Sequence, residues 1–196
     1  MCSWCWGFVP VLSELLSTLP KEVEVNRLLG GLAVDSDVPM SNEMQAMLQE
    51  TWRRIQAKIP GTVFNFDFWS KCQPRRSTYP SCRAVIAARQ QGNAFDEAMT
   101  KAIQTAYYLQ ARNPSDIETL VELADELGLD VAQFKQDIAS SVTQQQLEKE
   151  IELSRELHAE SFPSLVLQVG ASHWPVPIDY LAVSPMLELI NHLTEK

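Results

Sequence analysis

Long hydrophobic runs are missing from this sequence. No apolar stretch approaches the roughly 20 residues a membrane-spanning helix needs, because charges or prolines interrupt each one. A membrane span is therefore not expected. Excess positive charge is missing too: 16 Lys and Arg stand against 25 Asp and Glu, a formal charge of -9. Phosphate backbones are held by a basic stripe, so a nucleic-acid surface is excluded. The opening residues show no basic stretch followed by an apolar core, so no secretory leader is read there. Cysteine is scarce as well. Four in 196 residues are too few for a disulfide scaffold. The three histidines, His158, His173 and His192, lack H-x-x-x-H spacing, and no internal repeat is visible.

The chain is long enough to bury one ordinary core. Val11, Leu12, Leu15, Leu16 and Leu19 recur at helical spacing, and Val23 to Leu32 reads as a strand ending at Gly30-Gly31. Ser41-Asn42 precede a stripe of Met44, Met47, Leu48, Trp52 and Ile55, predicting a helix that ends near Pro60-Gly61. Further helices are expected from Pro80, and from Asn93 to Arg112. Capping boxes are read at Ser115 with Glu118, Asp130 with Gln133 and Thr143 with Gln146. This gives four to six helices with no strand between them. Leu165, Val166 and Leu167 then predict a short buried strand, followed by a turn or second strand across Gly170 to Tyr180. Pro185 opens a terminal helix through Leu193. The order is that of an α/β domain interrupted by an α-helical insertion.

Cys2-Ser3-Trp4-Cys5 is a C-x-x-C at the start of the first helix. Unpaired amides and the positive end of the helix dipole stabilise a thiolate at the first position. Cys2 is then the attacking sulfur. Cys5, one turn on, is within reach to close a disulfide and release a partner. The same spacing serves zinc, but zinc needs a second pair, and nine residues separate Cys72 from Cys82. Redox chemistry is the reading taken, with no metal.

Four segments carry a family resemblance: Cys2 to Phe8 (CSWCWGF), Phe64 to Trp69 (FNFDFW), Pro74 to Ala84 (PRRSTYPSCRA) and Ser161 to Ser164 (SFPS). Together they resemble the DsbA-like protein-disulfide oxidoreductases, and are similar to the FrnE-related branch termed predicted protein-disulfide isomerases. The resemblance implies a thioredoxin-like fold in residues 1–34 and 159–196, with residues 35–158 as the α-helical insertion. It also implies a cis peptide bond at Pro163, beside the cysteines, where Pro163 and Phe162 line a groove for an extended peptide. Relatives carry a strand immediately before the cysteines, whereas only Met1 precedes Cys2 here. A start further upstream, and a chain short of its first, central strand, are therefore expected.

Other residues admit two readings. Ser77 and Thr78 fall where the kappa-class glutathione transferases, more distant relatives, carry polar residues at the ligand cleft; they also suit helix capping before Pro80. Cys82 lies with Val85 and Ile86 on an apolar helix face and reads as a core cysteine. Cys72, in a polar loop, either pairs with Cys82 or stays a surface thiol. Arg75 and Arg76 read as solvated charges. Met40, Met44 and Met47 form either an adaptable wall for substrates or insertion core. Trp4 and Trp6 flank the redox pair, and Trp4 is expected to touch substrate. With no charge at Ser3 or Trp4, the pair should be a milder oxidant than the family's most oxidising members.

The expected function is exchange of disulfides with proteins or peptides, in the cytoplasm. No cofactor is required; glutathione is a possible co-substrate, and thioredoxin or glutathione the reductant. Two alternatives stand beside it: a glutathione-dependent transferase or isomerase of the kappa type, and a non-catalytic, chaperone-like peptide-binding module.

Overall fold

The helix that carries the cysteine pair, α1, runs from Ser3 to Thr18 in a computed structural model describing residues 1–194. The last two positions of the expected 159–196 segment lie outside the described residues. Phe8, Val11 and Leu15 recur every three or four residues on α1 and are buried, which makes one face of the helix apolar. Gly7, one turn before Val11, looks toward α2, where a Cβ would sit 2.7 Å from Ile59 Cδ1 and 3.1 Å from Ile55 Cγ2. The bare glycine lets α1 approach the next helix closely.

Helices then follow without an intervening strand: α2 (Asn42–Lys58), α3 (Phe68–Lys71), α4 (Tyr79–Gln91), α5 (Ala94–Tyr108), α6 (Ile117–Glu126), α7 (Val131–Ile138) and α8 (Ser141–Glu156). The one-turn α3 is too short to show a period and was not expected. Strands β1 (Leu165–Val169) and β2 (Ser172–Val176) pair antiparallel, and α9 (Ser184–Thr194) closes the described chain. None of these helices is long and apolar enough to cross a membrane.

Three larger cores, beside a small cluster of Ile86, Leu147 and Ile151, divide the interior among the described residues. Phe8, Val11 and Leu15 of α1 pack with Val176, Val183, Met186 and Ile190, joining α1 to the sheet and α9. An aromatic core holds Trp52, Phe64, Phe68, Tyr107 and Tyr108, with Trp4 and Trp6 against it. The third lies among α4, α5, α6 and α7. Thus α1 is wedged between the sheet and the aromatic core.

Several expectations are corrected. The strand expected over Val23 to Leu32 does not form; residues 20–41 run as an irregular strap across the helices. A strand requires a continuous ladder partner; this segment meets other backbone only at single points, Thr78 N–H to the Ala33 carbonyl (3.0 Å) and Met40 N–H to the Pro74 carbonyl (2.8 Å), and is otherwise held by side chains. Leu29 N–H donates to Glu150 (2.9 Å), Ala33 N–H to Thr78 Oγ1 (2.9 Å) and Ser36 N–H to Ser77 Oγ (3.2 Å). Leu165, Val166 and Leu167 of β1 are half-buried rather than buried, and Gln168 is exposed. Only one face of the two-stranded sheet is covered: Leu165 and Leu167 join the core with α1 and α9, and Val166 does not. Among the described residues, the other edge of β1 carries no strand.

Of the three expected caps, Asp130 accepts from Gln133 N–H. Ser115 caps nothing, because its hydroxyl is turned inward to donate to the Ser77 carbonyl (2.7 Å). The cap of α8 is Ser140, which accepts from Thr143 N–H, so Thr143 lies inside the helix. In the α2 stripe Trp52 and Ile55 are fully buried, whereas Met47 is 53 % exposed. The aromatic core covers only the C-terminal half of α2, so that half alone supplies buried residues.

Candidate functional site

Cys2 is the N-cap of α1, with an extended backbone (φ -97°, ψ 116°). All four cysteines are free thiols. The Cys2 thiol donates to the carbonyl of Phe162 (Sγ to O 3.2 Å), 160 residues away in sequence, and the Phe162–Pro163 bond is cis. The structure therefore brings Cys2, Cys5, Phe162 and Pro163 into one site.

The two thiols have opposite electrostatics. Cys2 is lowered to about 6, chiefly by its hydrogen bond with Cys5; burial opposes the shift, and the amides of Cys5 and Trp4 add to it. Neither amide meets the sulfur with the geometry of a regular cap, but both lie at the open end of the helix, where donors are unpaired. Cys5 is pushed far upward by the same hydrogen bond, by burial and by the Cys2 charge. Cys2 is thus the sulfur that ionises first, while its neighbour keeps its proton.

The intervening dipeptide splits between inside and outside. Ser3 is buried, and its hydroxyl accepts from the Trp52 indole N–H (2.9 Å). The hydroxyl of Tyr108 is buried close by without a well-formed partner. Trp4 is half-buried at the rim, its ring 5.2 Å from that of Tyr180, and Lys58 Nζ lies 5.5 Å from both ring centroids. Trp6 stacks on Tyr108 at 5.4 Å and donates to the Val63 carbonyl.

Sequence reasoning missed Lys58, Trp52 and Tyr180 as neighbours of the pair. Trp52 stood out only as one member of a helical stripe, and Tyr180, in an irregular loop, carries no periodic signal. Ser77 and Thr78 are buried, and their hydroxyls hold the strap at Ser36 and Ala33. Thr78 makes no side-chain cap to α4. Arg75 is paired with Asp116 and the Ser115 carbonyl rather than solvated; Arg76 is exposed. Cys72 donates to the Ala111 carbonyl (3.0 Å), and burial raises the Cys82 thiol to about 11. Among the described residues no three His, Cys, Asp or Glu side chains gather as a metal site.

A thioredoxin family model matches residues 1–172. The chain belongs to the thioredoxin family. Within this family it is similar to the ClpXP adapter protein SpxH of Halalkalibacterium halodurans, 24 % identical over 170 residues, which are 85 % of this chain and 55 % of the relative. SpxH of Bacillus subtilis is 23 % identical over 168 residues, 84 % of this chain and 54 % of that one. The chain thus spans about half the length of the curated relatives it matches. Among solved structures it resembles a candidate protein disulfide isomerase from Nitrosomonas europaea (TM-score 0.83, 22 % identity, 100 % of this chain and 93 % of that one). The cytosolic disulfide reductase DsbM from Pseudomonas aeruginosa is similar too (TM-score 0.76, 22 % identity, 100 % and 95 %), and a structure of it with GSH gives 0.75. The architecture is therefore the thioredoxin-like α/β fold with a large helical component, as the sequence implied.

Proposed function

We propose that this thioredoxin-family chain is a thiol-disulfide oxidoreductase whose working pair is Cys2 and Cys5. The observation that carries the reading is one sulfur lowered to about 6 and hydrogen-bonded to a protonated neighbour, with the Phe162 carbonyl at 3.2 Å. The Cys2 thiolate attacks a substrate disulfide. A bond forms from Cys2 Sγ to one substrate sulfur, and the other sulfur leaves as a thiolate that takes a proton from water. Cys5 then gives up its proton and attacks Cys2 Sγ, closing the Cys2–Cys5 disulfide and releasing the second substrate thiol. Two electrons pass from the pair to the substrate, and the reverse sequence makes a disulfide.

Substrates in this reading are protein or peptide disulfides. Phe162, Pro163 and Trp4 line the groove, and Ser77 and Thr78 contribute indirectly by fixing the strap. No cofactor is needed for exchange; glutathione or thioredoxin serves as reductant, and a reducing cytosol keeps the pair as thiols. The likeness to a cytosolic disulfide reductase, and its structure with GSH, support this setting. A kappa-type transferase is disfavoured by the intact Cys2, since the resemblance to that class implies a serine at this position. A binding module without turnover is favoured by one observation, the named adapter function of the curated relatives. Reduction of insulin with glutathione as electron source separates the two. Cys2→Ser should abolish turnover, and turnover unchanged by the substitution overturns the enzyme reading.

A further inference from the structure

Phe162 touches the dithiol with its backbone, so where its ring is seated governs where its carbonyl points. The ring lies on the backbone of Gly30 in the strap. A Cβ at Gly30 would overlap ring atoms Cε1 and Cζ and lie 3.2 Å from Cδ1. Gly31, at φ +58°, is enclosed too: a Cβ there would overlap Ile151 Cδ1 of α8 and lie 3.0 Å from Tyr79 Cε1 of α4. Its left-handed backbone also favours glycine. The strap cannot retreat from the ring, because it is tied on both sides of the glycine pair. Leu29 N–H is held by Glu150 at 2.9 Å, and Ala33 exchanges hydrogen bonds with Thr78 Oγ1 at 2.9 and 3.0 Å.

We infer that Gly30 is a positioning residue for the dithiol: its bare backbone seats the Phe162 ring, and the seated ring holds the Phe162 carbonyl against the Cys2 sulfur. A carbonyl that accepts from S–H favours the protonated thiol, and its lone pairs disfavour the thiolate. The contact therefore acts as a brake on ionisation, opposing the amides at the start of α1. The other titratable or charged groups facing this sulfur are Cys5 on α1, the Met1 amino group, Tyr108 at the end of α5 and Tyr180 before α9. Cys82 and Arg76 face that amino group in turn. The atoms nearest a Gly30 Cβ all belong to the Phe162 ring, so a methyl added there acts on the ring first. The inference rests on the proposed function only in taking Cys2 as the reacting sulfur.

The test uses the full chain as Gly30→Ala, Phe162→Ala and the double variant. Cys2 ionisation is followed by thiolate absorbance and by the pH dependence of iodoacetamide alkylation, with the alkylated site assigned by mass spectrometry. Each single variant should raise the Cys2 ionisation constant about threefold to tenfold, the range of one modest hydrogen bond. The double variant should go no further than Phe162→Ala, because without the ring a methyl at Gly30 meets nothing that moves the carbonyl. A single variant within twofold of the unaltered protein, or a double effect equal to the product of the two singles, overturns the inference. Should Gly30→Ala fail to fold, Phe162→Ala decides alone, and an unchanged constant overturns it. None of these readings needs turnover, so loss of the proposed function through the Cys2→Ser assay would leave this result to stand or fall by itself.

Discussion

Replacing Cys5 by alanine removes the thiol that lies against the Cys2 sulfur and leaves α1 with a stronger helix former. The hydrogen bond from Cys5 is the largest cause of the lowered Cys2 pKa of about 6. A hydrogen bond to a charged group contributes about 1.5–3 kcal/mol, and about 1.4 kcal/mol corresponds to a pKa change of one. Cys5→Ala should therefore raise Cys2 to between about 7 and about 8. The space left by the thiol admits water, which eases the burial that opposes ionisation and draws the result toward the lower figure. At pH 7 the ionised fraction should fall from about nine-tenths to between about half and about one-tenth. Alkylation of Cys2 across pH 4 to 10 reads the midpoint directly. A midpoint still near 6 would refute the assignment to Cys5 and leave the amides of α1 as the cause. A midpoint above the ordinary thiol value of 9.0 would mean that burial outweighs the amides at the helix end.

Two further outcomes concern the groups that hold the site. Ser3→Ala leaves the buried Trp52 indole N–H without its acceptor at 2.9 Å, and should cost about 1–3 kcal/mol of stability; urea unfolding with an unchanged m-value measures it, and a loss below about 0.5 kcal/mol would contradict the contact. Arg89 pairs with Asp96 (2.6 Å) and with Glu150 (2.7 Å), whose side chain is 5 % exposed. Arg89→Ala should destabilise by about 3–5 kcal/mol by stranding that carboxylate. Arg89→Ala combined with Glu150→Gln should cost less than the sum of the two single changes, and additive losses would show that the pair is not coupled.

How far the sequence reached depended on how local each feature is. The cysteine pair, its place at a helix start and the caps at Asp130 and at Ser41, whose hydroxyl accepts from Met44 N–H, are set within one or two turns of chain, where residue type and spacing decide the backbone. The same local logic misread Val23 to Leu32. β-branched residues fit a strand, but a strand exists only where another backbone accepts its ladder; here the Leu29 amide goes to the Glu150 side chain of α8 and the adjoining Ala33 amide to Thr78, just before α4. It also assigned Ser115 to a cap, when the hydroxyl had a buried carbonyl across the fold to bind.

What the sequence alone determined, then, is that two sulfurs stand one turn apart at the mouth of an apolar helix, followed by a long helical block. Only the tertiary structure decided which groups surround them. The Phe162 carbonyl comes from 160 residues away, the Trp52 indole from 49, and Lys58 and Tyr180 meet over Trp4 from widely separated parts of the chain. Such contacts follow from how the cores pack α1 between the sheet and the aromatic cluster, and no short-range pattern encodes that packing.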